Sequence, residues 1–111
     1  MQGDNKELRG LTIQNTGATS VTITAIKGSW TNSHKIERIR LNTSTVWSSG
    51  GPGVPLGDQV SGTTLDIQDF SIAARSTASG NNFKFNEEMS GTHFTFVFYF
   101  ADGTQKTYTV F

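Results

Sequence analysis

A chain of 111 residues with nine basic and nine acidic side chains and no cysteine can bury one core without a crosslink. The missing thiols exclude a disulfide framework, a thiolate zinc centre and cysteine nucleophilic chemistry. The balanced charge lacks the basic excess that drives non-specific nucleic-acid binding, so no nucleic-acid partner is expected.

Charged residues make up 16 % of the chain, below the roughly 25 % usual for soluble domains. Sixteen Thr and eleven Ser stand in their place, and the β-branched threonines suit a pleated, half-exposed surface. No apolar run approaches the roughly 18 residues of a spanning helix. The opening "MQGDNKELRG" has no apolar signal core. We read residues 1–111 as a single domain from which a signal or anchor has been removed. Residues 1–6 are expected to be disordered or an added leader.

The apolar period is two almost throughout. Leu8 to Gln14 reads as a first strand and "NTGATS" as a turn. "VTITAIK" follows, with Val21, Ile23 and Ala25 on one face and Thr22, Thr24 and Ile26 on the other. "GSWTNSH" breaks the pattern. In "KIERIRLN", Ile36 and Ile39 straddle charged residues, which predicts a bulge or an edge. A short "TVW" strand leads into "SSGGPGVPLGD", residues 48–58, a loop holding four glycines and both prolines. The apolar frame of "TTLDIQDFSIAA" shifts between Ile67 and Phe70, predicting a bulge at Gln68 and Asp69. A polar turn, a short "FKF" strand and the "NEEMSG" turn precede a closing hairpin. Seven or eight short strands with regular turn signals indicate an all-β, antiparallel two-layer sandwich.

The hairpin is "HFTFVFYFADGTQKTYTVF", residues 93–111. Asp102-Gly103 suits a two-residue turn with positive φ. That register pairs Tyr99 with Lys106, Val97 with Tyr108 and Phe94 with Phe111. It puts Phe94, Phe96, Phe98 and Phe100 on a core face and leaves Val97, Tyr99, Tyr108 and Val110 outside. Lys106 beside Tyr99 would then guard against sheet stacking.

No catalytic constellation or cofactor site is apparent. His34 and His93 have no companions at metal-ligand spacing, and the nucleophile-elbow pattern is absent. Asp58, Asp66 and Asp69 cluster in sequence and Glu87-Glu88 form a pair, without a calcium-loop signature; they read as solvated turn and strand-end acids. Trp30 and Trp47 suit either a core or lid position or, if exposed, a stacking platform for sugars. Asn42-Thr43-Ser44 is a glycosylation acceptor pattern.

At "LTIQNTGATSVTITAIKGSW" the chain resembles the opening of immunoglobulin-like domains on microbial surface proteins. "MSGTHFTFVFYFADGTQKTYTV" resembles their last hairpin. Together these stretches are most similar to the soluble domains of archaeal type IV pilin-like proteins. The resemblance implies an immunoglobulin-like sandwich with a noncatalytic structural or adhesive role at the cell surface. Its partners would be other copies or surface proteins, and a membrane would be reached only through an upstream helix. The alternative is a carbohydrate-binding module. Trp30, Trp47, Tyr99 and Tyr108 are the candidate contact residues, with the Gly/Pro loop beside Trp47.

Overall fold

The computed structural model describes residues 6–9, 11–79, 81–89 and 91–110, which form ten strands and no helix. In chain order they are β1 (Glu7–Arg9), β2 (Ile13–Asn15), β3 (Val21–Trp30), β4 (Ile36–Leu41), β5 (Ser44–Ser48), β6 (Thr64–Ile72), β7 (Ser76–Ala78), β8 (Asn82–Phe85), β9 (Phe94–Phe100) and β10 (Gln105–Val110). Two antiparallel four-stranded sheets, β1-β8-β4-β5 and β10-β9-β3-β6, make a sandwich, with β2-β7 as a separate pair. The all-β architecture is therefore the one the alternation predicts.

The larger strand count comes partly from the first predicted strand, which is two strands. Leu8 and Ile13 are both buried, yet an odd spacing of five cannot put both on one face of a continuous strand. The chain pairs with β8 through β1 and with β7 through β2. Lys6, expected in a disordered leader, belongs to the fold: its carbonyl accepts from Phe85 N at 2.7 Å. Residues 1–5 lie outside the described residues.

Bulges explain the remaining frame shifts. In β3 a register break between Ile23 and Ala25 brings Ile23 and Ile26 both into the core, so the predicted Val21/Ile23/Ala25 face ends there. The strand then runs on through the expected break as far as Trp30. The shift predicted in β6 is present, with Ile23 opposite Phe70 but Ala25 opposite Asp66. β4 is bulged against both neighbours and is an interior strand, not an edge.

Rings from the two sheets meet at the centre. Phe83 stacks on Phe96 at 4.4 Å, Phe85 lies 5.3 Å from Phe94, and Trp30 meets Phe85 edge-on at 5.1 Å. Phe94, Phe96 and Phe98 are buried as predicted, while Phe100 is only half-buried. Fully burying such a side chain contributes about 1.5–3 kcal/mol.

The closing hairpin departs from its predicted register. Gly103 N donates to Phe100 O at 3.0 Å and Phe100 N to Thr104 O at 2.9 Å, with Gly103 at φ 88°. The connection is thus a three-residue loop whose glycine occupies the left-handed position. Asp102 Oδ1 holds it by accepting from Thr104 N at 2.9 Å and Thr104 Oγ1 at 2.6 Å. The added residue pairs Tyr108 with Phe96 and Lys106 with Phe98, and such a slip turns every β10 side chain to the opposite face. Tyr108 therefore faces inward with the phenylalanines, not outward with Tyr99. The expected pairing to Phe111 lies outside the described residues. A two-residue turn with both φ values positive does occur, but at Asn42 (49°) and Thr43 (72°), closing β4 on β5.

Candidate functional site

The sandwich has two long sides, one between β5 and β6 and one between β1 and β10. On the first, the Gly/Pro loop is stitched to strands of both sheets. Val54 and Asp66 exchange backbone hydrogen bonds at 3.0 and 2.8 Å, Ser48 N donates to Pro52 O at 3.0 Å, and Ile36 and Gln59 exchange bonds at 2.8 and 3.1 Å. Trp47 is 0 % exposed beneath it, its indole Nε1 donating to Pro55 O at 3.2 Å. Gly53 makes the close approach possible: a Cβ there would lie 2.7 Å from Trp47 Cδ1 and 2.8 Å from Asp66 O.

Trp30 is 7 % exposed, and its Nε1 donates to His34 O at 2.7 Å. Ser61 clamps the Trp30 backbone, its Oγ accepting from Trp30 N at 2.8 Å and donating to Trp30 O at 3.1 Å. Neither tryptophan presents a face to solvent: both hold the core or lid position, and the alternative of an exposed stacking platform fails. The connection from β5 to β6 instead exposes three aliphatic side chains, Val54 at 52 % and Leu56 at 63 % in the loop and Val60 at 51 % just after it.

The second side is built differently. Among the described residues β10 pairs only with β9. The small β2-β7 pair closes the nearby end of the body and is held by two buried asparagines. Asn15 Nδ2 lies 2.8 Å from Thr19 O and 3.1 Å from both Ile72 O and Ala73 O, while its Oδ1 accepts from Gly17 N at 3.0 Å. Asn81 donates to Leu11 O at 2.7 Å and Ala78 O at 3.1 Å and accepts from Asn42 N at 2.9 Å. A cleft of about 150 Å³ remains between β2 and β10. Ile13, Val21, Ile72 and Phe100 give it apolar walls, and Thr104, Lys106 and Tyr108 line it from the β10 side. A second hollow of about 260 Å³ continues around Phe100 and Val21 toward Asp102.

Of the four predicted contact residues, only Tyr108 lines this cleft. Its ring meets Phe98 edge-on at 5.4 Å, and Lys106 Nζ stands 6.0 Å from its centroid. Tyr99 is half-buried on the opposite face, across from Gln105; the Tyr99/Tyr108 patch is not one surface. Phe100, Lys106 and β2 were missed as a group because the cleft depends on the hairpin register and on β2 leaving β1.

Glu7 and Asp102 are held by neighbouring donors. Glu7 accepts from Arg9 and, at 3.2 Å, from Arg38. Burial works against its ionisation, but hydrogen bonds from Arg9 and Asn82 and the charges of Arg9 and Arg38 hold the carboxyl below its ordinary value. Asp102 is lowered by bonds from the Thr104 hydroxyl and then its N–H. Asp58, Asp66 and Asp69 are exposed, and no group of three potential metal ligands forms among the described residues. Compared with known family models, characterised proteins and solved structures, the chain matches none.

Proposed function

We propose that this chain is a noncatalytic, extracytoplasmic structural and interaction domain of a cell-surface or pilin-like protein, acting through contacts with other copies or neighbouring surface proteins. The observation that carries the reading is the aliphatic loop. Val54, Leu56 and Val60 are each more than half exposed on a connection anchored to both sheets, and exposed apolar surface of that kind supports a contact role. The resemblance of the two ends of the chain to immunoglobulin-like surface domains supplies the cellular setting.

Sedimentation of the wild type and of a Val54→Asp/Leu56→Asp double variant tests it. The wild type should associate with rising concentration, and the variant should stay monomeric with an unchanged melting temperature. Wild-type protein that remains monomeric to about 1 mM, the weak end of specific association, would remove self-contact through this loop.

A further inference from the structure

We propose that the chain associates head to tail: the loop side of one copy, with Val54, Leu56 and Asp66, docks on the outer face of the β1-β8-β4-β5 sheet of the next. This contact rests on the self-association read from the loop and supplies its second surface.

The loop side is acidic as well as apolar. Val54 and Asp66 face each other across an antiparallel bridge, so their side chains share one side, and both are exposed. Asp58 lies between Leu56 and Val60 in the chain and is exposed too. Among the described residues neither acid forms an ion pair; Lys27, opposite Thr64, is the cation on the adjoining strand. A two-fold contact uses the same patch on both subunits, which here sets an acidic patch against itself. Like-charge juxtaposition across an interface is costly, so the loop side is matched by a different, positive surface.

That surface is the outer face of the first sheet. Its strands carry Arg9, Arg38, Arg40 and Lys84 against Glu7 and Glu37. Ile39, Leu41, Phe83 and Phe85 are buried, and alternation turns the cations between them outward. Lys84 stands directly opposite Arg38, a like-charge pairing that destabilises a bare sheet. Glu7 pairs with Arg9 and Arg38, which leaves Arg40 and Lys84 without an ion pair among the described residues. Long cationic side chains offer both groups the loop side needs: apolar stems for Val54 and Leu56 and charged heads for Asp58 and Asp66. A contact between two different surfaces closes into a ring or continues as an open chain.

Sedimentation of charge-reversed pairs at about 1 mM tests this. Arg40→Glu/Lys84→Glu and Asp58→Lys/Asp66→Lys should each be monomeric where the wild type associates, with melting temperatures close to wild type. Mixed one to one they should associate again, because the loop side of the first variant meets an unaltered basic face on the second. Should the glutamates disturb β1, Arg40→Gln/Lys84→Gln reads the same contact and should weaken association about threefold to tenfold, the scale of two exposed ion pairs. Wild-type-like association of the basic-face variants would overturn the head-to-tail contact and leave the loop reading standing. A mixture that stays monomeric would likewise overturn it. Wild-type protein that is itself monomeric would remove the loop contact and this inference together.

Discussion

The two long sides of the sandwich solve one problem in different ways. Any two-sheet body has edges whose backbone groups and apolar rims must be covered. Between β5 and β6 the covering is a loop with its own hydrogen bonds to both sheets, laid over a fully buried tryptophan. At the end of the body next to β10 the cover is a short strand pair held by asparagine side chains, and a cleft remains against β10. Backbone hydrogen bonds over a buried tryptophan thus close one region, whereas asparagine side chains hold the other and leave a cleft beside it.

The largest expected effect separates the sides through their aromatics. Trp47→Ala empties a site with no solvent exposure and should cost about 3–5 kcal/mol. Phe100→Ala removes a half-buried ring beside an existing cleft and should cost about 1–2 kcal/mol, near the burial term alone. Urea midpoints that fall equally for both would erase the distinction.

Much of the core was legible in the sequence, because burial follows alternation: Phe94, Phe96 and Phe98 lie inside as their spacing dictates, and the β6 frame shift announces its bulge. The site was not legible, and the reason is local. Asp-Gly is compatible with both a two-residue and a three-residue hairpin loop, and the choice rests on Asp102 bonding to Thr104. A single residue of register decides whether Tyr108 and Lys106 face solvent or the cleft. The separation of β2 from β1 likewise depends on Asn15 and Asn81 finding carbonyls far along the chain, which no local pattern records.

Two glycines sharpen the comparison because they share a backbone state. Gly53 and Gly103 have φ of 85° and 88°, so alanine at either meets the same left-handed penalty, about 1–2 kcal/mol. At Gly103 an added Cβ has nothing within 4 Å, whereas at Gly53 it runs into Trp47 and the Asp66 carbonyl. Gly53→Ala should therefore lose about 1–3 kcal/mol more than Gly103→Ala, the usual cost of overpacking. Thermal melts of the two variants give the difference directly.

On the other side the anchors are polar. Asn81→Ala removes the bond to the carbonyl of buried Ala78, and a buried orphan costs about 1–3 kcal/mol. The hydrogen exchange of β2 and β7 should accelerate before that of β3 and β9. Uniform acceleration would mean that the small pair is no separate unit. The Asn42-Thr43 turn allows a gain instead. Thr43 is β-branched at φ 72°, a state costing of order 1–3 kcal/mol outside glycine, offset in Thr43→Gly by about 0.5–1 kcal/mol of unfolded-chain entropy. A net stabilisation of about 0.5–1 kcal/mol, read as a raised urea midpoint, is expected.

The smallest effect concerns β1, whose outward contacts are ionic. Glu7 titrates below the ordinary 4.5 in the folded chain, so the folded state prefers its charged form. The stabilisation this gives is present above the unfolded value and is lost as pH falls below 4.5 and through the folded pKa. Asp102 shifts in the same direction, so acid sensitivity of the wild type alone cannot be assigned to either group. Comparison with Glu7→Gln isolates it. Between pH 7 and pH 3 the wild-type urea midpoint should fall further than that of the variant. Exchange at the β1–β8 amides, Leu8 and Phe83 among them, should quicken in the wild type over the same interval. Equal midpoint losses in the two proteins would show that Arg9 and Arg38 hold β1 no better with a carboxylate than with an amide, and that apolar burial of Leu8 carries this edge as it carries the β5/β6 side.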